Sequence, residues 1–438
     1  MGAFDPDGGV ALGQAVGPAE WMTLQPEVLL SFVLWHLALL YAIPVVFWDY
    51  EIAVLTLRNR QNRRDATADV AWELDAVQAR IVTIDNADVV QQTVDLLPDE
   101  LSDVVVVAEA PIAVDGAKVL VVPPEFECAA TNKGRAVEWA RRTYSTDKEY
   151  VLYLDEDTDA SSLTELGPNA DIIQFRERPV RTVGLLPYLS EIHRIGFNVE
   201  QRSFPFFQIP FYAWGGGIAI RSSLEDAVTW DTPTIVEDSV FTWRAVLEHG
   251  ATLEVADVHL ANQAPPSVRA MIRQRRRWLT GTRQRHDMLP FHYRLLYDAR
   301  DLGWALSTIS PILWVASAAS FVGLVDVSLL PVFFPEAYMI LTLALLGHVY
   351  AWSVLGLSIY RPSVGVWVLL LVFTPFVVTV HSAGALYGAI RPAKTFVVTE
   401  KVVSAAGGDL GRRGVADGVV DASEADDRAA SAALEDRA

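Results

Sequence analysis

Three short runs carry most of the chemistry open to this chain: Asp155-Glu156-Asp157, Glu237-Asp238 and Gln274-Arg275-Arg276-Arg277-Trp278. Hard divalent cations prefer carboxylate oxygens and often take only one or two protein ligands. Asp155 and Asp157 stand two apart at the end of a hydrophobic run, so they point to one side with Glu156 between them. Such a pair can hold Mg²⁺ or Mn²⁺ against a diphosphate and offset the charge left when a bond to it breaks. The plainer alternative is a solvated acidic turn. Glu237-Asp238 follows the turn signal Thr232-Pro233-Thr234 and opens a helical pattern over 239–248. Acids are favoured at a helix N-terminus, so capping alone accounts for them. The chemical reading makes Asp238, with Glu237 beside it, the base that takes a proton from an acceptor hydroxyl as its oxygen attacks a sugar carbon.

Two further stretches belong with these. Trp214-Gly215-Gly216-Gly217 pairs an aromatic ring, suited to the apolar face of a sugar, with glycines that permit close approach. These residues are candidates for holding an acceptor. Residues 267–286 form an arginine-rich amphipathic pattern with Met271, Ile272, Trp278 and Leu279 on one face. It reads as an interfacial helix on a membrane surface. It also reads as a site in which guanidiniums meet a diphosphate while Trp278 walls the acceptor channel. The aromatic-rich stretch 188–214 is a second interfacial candidate, with core packing as its alternative. His259 is placed for chemistry just after the strand-like 251–258, but a hydrogen-bonded structural role explains it as well.

Those groups must be positioned by an α/β domain. Residues 80–84, 103–108, 119–122, 150–154 and 171–175 are short β-branched runs, and helical patterns such as 132–144 separate several of them. The alternation predicts a mainly parallel, doubly covered sheet over about 58–300, with ligands beyond the carboxyl ends of its strands. Apolar runs at 28–48, 304–324, 334–357 and 364–390 match the roughly 20 residues needed to cross a bilayer, with Pro311 and Pro375 as potential kinks. Residues 1–27 are acidic and lack Lys and Arg, whereas Arg58, Arg60, Arg63 and Arg64 follow the first span. The positive-inside rule therefore predicts a multi-pass protein of the cell membrane with a cytoplasmic α/β domain. Three full C-terminal spans would leave the C-terminus outside, while Arg391, Lys394 and Lys401 favour the inside. The region 304–390 is thus expected to hold two or three spans. Residues 405–438 read as a disordered acidic tail.

The 438 residues carry a formal net charge of −19 with five lysines, which argues against nucleic-acid partners and resembles halophile proteins. The single Cys128 excludes an internal disulfide or a cysteine-based zinc site.

The order and wording of these motifs resemble membrane-bound glycosyltransferases of family 2. Thr395-Phe396-Val397-Val398-Thr399-Glu400-Lys401 resembles the gating segment of cellulose-synthase-like members. Closer still is the likeness to Egghead-type β-1,4-mannosyltransferases, carried by Arg80-Ile81-Val82-Thr83, Thr131-Asn132-Lys133-Gly134-Arg135-Ala136, Leu154-Asp155-Glu156-Asp157-Thr158 and 274–281. The resemblance implies a GT-A-like, Rossmann-type domain between transmembrane helices, an inverting mechanism and a Mg²⁺ or Mn²⁺ requirement. It implies a GDP- or UDP-sugar donor and a lipid-linked acceptor among membrane lipids. It assigns metal binding to Asp155 and Asp157, and donor contacts to Thr83, Glu109, Lys133, Arg135, Asp155 and Arg277. Catalysis falls to Asp238 and Glu237, and acceptor contacts to Trp214, Gly215, Gly216, Gln274 and Trp278. Glu109 stands where an Asp is commoner, and the first strand ends Thr83-Ile84-Asp85 without the usual Pro-Thr-Tyr-Asn wording. A processive polysaccharide synthase would share all three motifs. A non-catalytic scaffold or transporter subunit would instead place its ionisable residues within the spans.

Overall fold

The computed structural model describes residues 26–65, 72–167, 169–201, 204, 209–328, 333–393, 399 and 401, side chains at 51, 52, 54–65 and 198 apart. The expected N-terminal tail up to 25, the side chains of the four arginines after the first span, 394–398, 400 and the C-terminal tail lie outside what is described.

The sheet is built from β1 (Val77–Thr83), β2 (Asp103–Ala108), β3 (Lys118–Val121), β4 (Tyr150–Asp155), β5 (Ile172–Val180), β6 (Ile218–Arg221) and β7 (Leu253–Gln263). The helices are α1 (Pro26–Asp65), α2 (Ala87–Asp95), α3 (Lys133–Thr143), α4 (Leu185–Ile195), α5 (Asn198–Gln201), α6 (Ser222–Val228), α7 (Glu237–His249), α8 (Val268–Arg285), α9 (Phe291–Leu306), α10 (Ser310–Phe321), α11 (Pro335–Tyr360) and α12 (Val364–Ile390). Strand order is β3-β2-β1-β4-β6-β5-β7, and only β6 runs antiparallel to its neighbours. This is the expected GT-A-like α/β domain flanked by long apolar helices. β1 and β4 are buried nearly end to end because helices cover both faces, which is why they read as continuous apolar runs. The chain winds outward to β2 and β3 on one side of β1 and to β4 on the other. The carboxyl ends of β1 and β4, paired at Val82 and Asp155, therefore open a crevice at a topological switch point.

Among the described residues, four helical stretches are long and apolar enough to cross a membrane: Pro26–Tyr50, Phe291–Phe321, Pro335–Tyr360 and Val364–Ile390. The second begins before the expected 304. Its first half belongs to the α/β domain, where Tyr293 and Tyr297 join the core with Phe211 and Trp243. A 3₁₀ turn at Ser307–Ile309 interrupts it just before Pro311. The run 188–214 is helical only in part. α4 packs against α11 and α12, and α5 against α1, whereas Phe204, Ile209 and Phe211 are buried in the domain core.

α4 and α8 weld the two halves together. A Cβ at Gly356 would sit 2.0 Å from the Ile192 carbonyl, and one at Gly384 would sit 2.5 Å from the Ile272 carbonyl. Only glycine lets α11 meet α4, and α12 meet α8, this closely. Both ends of α12 are tied to the α/β domain. Before it, the Tyr360 hydroxyl donates to the Pro179 carbonyl at 2.9 Å. After it, the carbonyls of Arg391 and Pro392 accept from Arg276 at 2.8 and 3.1 Å, and the Ala393 amide donates to Thr280 Oγ1 at 3.0 Å. α12 thus starts and finishes on the domain's side of the bundle, and exposes Val364, Val368, Val372 and Phe376 as an apolar stripe along one face. In a Cys128→Ser background, Ser363→Cys and Pro392→Cys should react with an impermeant thiol reagent from the same side of a sealed vesicle. Leu324→Cys should react from the opposite side. Opposite labelling of 363 and 392 would mean that α12 crosses.

Candidate active site

A cavity of about 590 Å³ opens at the switch point and runs to the membrane-length helices. Thr83, Glu109, Lys133, Arg135, Asp155, Trp214, Gly215, Glu237, Asp238, Gln274, Arg277 and Trp278 all line it. Thus nearly all the residues singled out in the sequence share one wall, although they span almost two hundred positions.

Their pairing is specific. Lys133, the first residue of α3, places Nζ 2.7 Å from Asp155 Oδ1 and 3.3 Å from the Gly215 carbonyl. Burial opposes its charge, but Asp155, Asp238 and Glu237 outweigh burial and raise its pKa. Burial likewise opposes the Asp155 carboxylate, but Lys133, Lys401 and Arg277 hold it below the ordinary range. Asp157 does not line the cavity. Its Oδ2 accepts from the Gln263 amide at 2.9 Å, and Lys401 Nζ lies 2.7 Å from its Oδ1. The strand-end aspartates therefore each face an ammonium group. No cluster of three or more metal-ligating side chains occurs among the described residues. Thr83 donates to Glu156, whose pKa burial pushes up, and Arg135 pairs with Glu109 at 2.7 Å. These expected donor contacts line the cavity but are engaged with other side chains.

The glycines do something the sequence did not disclose. A Cβ at Gly215 would fall 2.6 Å from the Asp238 carboxylate, and one at Gly216 would fall 2.8 Å from Asp155 Oδ2. Adjacent glycines thus bring the strand-end acid and the helix-start acid to the same short piece of backbone. Buried Gln174 holds this turn, accepting from the Trp214 amide at 2.8 Å and donating to the Trp214 and Gly217 carbonyls at 3.0 and 2.7 Å. Thr158 ties it to the acidic run, donating to the Gly216 carbonyl at 3.0 Å and accepting from the Asp155 amide at 3.1 Å. Gln174 carries no motif signal that could have singled it out. Glu237 is pushed up to about 8, first by burial and then by the neighbouring Asp238 charge, against the pull of Lys133. Burial and the adjacent Asp238 both favour the neutral form of Glu237.

α8 begins at Ser267, whose side chain accepts from the Ala270 amide at 3.1 Å. It packs against α12 on one side and against α4 and α7 on the other. Arg275 is fully buried. It ion-pairs with Glu191, donates to Gln274 Oε1 at 2.8 Å, and sits 4.0 Å from the centre of the Trp278 ring. Arg194 lies 5.6 Å from the same ring and bridges Glu177 and Glu191. Burial depresses Arg275 to about 10. His259 lies on β7, outside the cavity wall.

The model for glycosyl transferase family group 2 matches residues 150–380. The chain belongs to that family. This glycosyltransferase is similar to a solved mannosyltransferase from Pyrobaculum calidifontis, in complex with GDP-Man and Mn²⁺. Identity is 17%, coverage is 81% of this chain and 98% of that one, and the TM-score is 0.47. It is also similar to glucosyl-3-phosphoglycerate synthase from Mycobacterium tuberculosis in complex with phosphoglyceric acid. Identity there is 12%, coverage is 45% and 78%, and the TM-score is 0.25. Comparison with curated proteins finds no match.

The charge network beneath Trp278 generates a direct test. Arg275→Ala leaves Glu177 and Glu191 with Arg194 alone, and should cost about 3–5 kcal/mol in urea unfolding. Glu191→Gln with Arg275→Met removes one charge of each sign and should recover most of that loss. A single variant as stable as the parent would show the network to be idle.

Proposed function

We propose that this glycosyltransferase is inverting and metal-dependent, and passes one sugar from a nucleotide-sugar donor to a lipid-linked acceptor. The cavity carries this reading. One end holds the acids and cations of the sheet edge, and the other is walled by Trp48, Trp304 and His381 from membrane-length helices. An acceptor embedded in the bilayer would therefore reach Asp238 without leaving the protein. The catalytic domain is taken as cytoplasmic in the cell membrane, on the arginines that follow the first span. Mannose is proposed as the sugar on the Egghead-type motif wording. GDP- and UDP-sugars are to be compared in a thermal-shift panel with Mn²⁺ present.

In this mechanism Asp238 accepts the proton of the acceptor hydroxyl while that oxygen attacks the anomeric carbon. The bond from that carbon to the diphosphate oxygen breaks in the same displacement, which inverts the configuration. The nucleoside diphosphate leaves toward Lys133 and Arg277. Arg277 is buried opposite Glu237, Asp238 and Asp155, and burial lowers its pKa despite those acids. Trp278 and Gln274 wall the acceptor, and Trp214 closes over the glycine turn. The acidic pair fits a hard cation, because a buried Asp157 and a cavity-lining Asp155 each already hold a positive group. Asp155 and Asp157 are the residues that would hold Mg²⁺ or Mn²⁺. When bound, that ion supplies Lewis-acid neutralisation of the leaving diphosphate.

Asp238→Asn should bind donor normally and lose about 10²–10⁴ in transfer rate. Glu237→Gln mimics an already neutral acid and should keep most of the rate at pH 7. It should also erase the alkaline fall expected near pH 8, where native Glu237 ionises beside Asp238. Near-normal transfer by the Asp238 variant would remove it as base. Asp157→Ala should abolish the metal dependence of donor binding measured by calorimetry, and unchanged dependence would clear Asp157 of that role. A single added sugar on lipid, rather than a long radiolabelled polymer, separates this reading from a processive synthase.

A further inference from the structure

The membrane-side end of the cavity contains polar atoms that the proposed chemistry does not use. Trp48 Nε1, Gln201 Oε1, Trp304 Nε1 and His381 Nδ1 are all buried and have no hydrogen-bond partner among the described residues. Trp48 is 4% exposed, and Gln201 and His381 are each 3% exposed. They come from four different elements, α1, α5, α9 and α12, and converge on one wall. Buried polar groups are normally bonded to protein, water or ligand. Such a concentration in a cavity marks a place where something else completes the bonds.

The surroundings define its chemistry. Trp48 stacks near Phe197 at 5.4 Å and 23°, His381 stacks on the same ring at 6.1 Å and 23°, and Trp304 lies 5.7 Å from His381. Flat rings combined with N–H donors and an amide oxygen suit a body with an apolar face and hydroxyl edges. The nearby cations are already matched. Arg300 is held by both Glu200 oxygens at 2.8 Å, and Arg194 by Glu177 and Glu191. This wall has no surplus positive charge for a phosphate.

We propose that this end of the cavity is a second sugar subsite, taking a neutral, hydroxyl-rich ring of the acceptor between the reacting hydroxyl and the lipid tail. The proposal rests on the reading that the acceptor enters from the membrane. The test uses the full chain in lipid nanodiscs with ¹⁵N-labelled tryptophan, titrated with octyl β-D-glucopyranoside, octyl phosphate or octanol. The glucoside should shift the indole N–H signals of Trp48 and Trp304, whereas the phosphate and the alcohol should not. Trp48→Phe and Trp304→Phe keep the rings and delete the donors, so each should weaken glucoside binding about 2–10-fold. Gln201→Met provides a third variant that leaves the aromatic wall intact, with the same expectation. An equal response to octyl phosphate would make this an anion site and overturn the proposal. Indoles silent to all three probes would mean that water or lipid completes their bonds, which would overturn it too. Unweakened binding in all three variants would also count as refutation. Donor binding, measured alongside, shows whether each variant is folded. Its failure in the parent protein would count against the proposed transferase reaction and leave the indole readout standing.

Discussion

The buried chain of charges Glu177–Arg194–Glu191–Arg275 is the contact on which the rest of this molecule depends. Glu177 comes from β5, Glu191 and Arg194 from α4, and Arg275 from α8. Charges buried this deeply survive only when each is paired, so the network fixes how three elements meet more than it adds stability. Its location is what matters. α4 packs against the end of α11, α8 packs against α12, and Trp278 lies between two guanidiniums of the network. One set of ion pairs therefore joins β5, α4 and α8, which pack on the membrane-length helices, and holds Trp278 on the cavity wall.

The second constraint is the charge balance at the sheet edge. Asp155, Glu156, Asp157, Glu237 and Asp238 gather in a small volume that would repel itself in isolation. Lys133 and Lys401 each take one aspartate, Glu156 and Glu237 are shifted toward their neutral forms, and Arg277 faces the remainder. On the proposed function, this balance is what a diphosphate and its cation would meet. The cluster is kept compact by a glycine turn that no residue with a Cβ could form without pushing a carboxylate away.

The parts legible in the chain were those governed by local periodicity. β1, β2 and β4 announced themselves because strands buried on both faces must be apolar throughout. α8 did so through its 3.6-residue pattern, and the long apolar helices by length alone. β6 passed unnoticed because Ile218–Arg221 runs straight from the glycine stretch into α6, so no turn signal marks its far end. The aromatics of 188–214 suggested a membrane surface, yet several fill the domain core, since an aromatic ring is equally satisfied by either apolar environment.

By itself, the sequence determined the family, the α/β class, the membrane-length helices and the motif residues at the sheet-edge end of the cavity, because motif residues and hydrophobic patterns are properties of neighbours along the chain. Tertiary structure alone decided which acid meets which cation, that Asp157 turns away to Gln263 and Lys401, and that α12 returns to the domain that precedes it. It alone brought Trp48, Gln201, Trp304 and His381 to one wall. Those outcomes depend on contacts between residues far apart in the chain, whose energies are set by burial and by the exclusion of water. Neither quantity exists until the chain has closed around them.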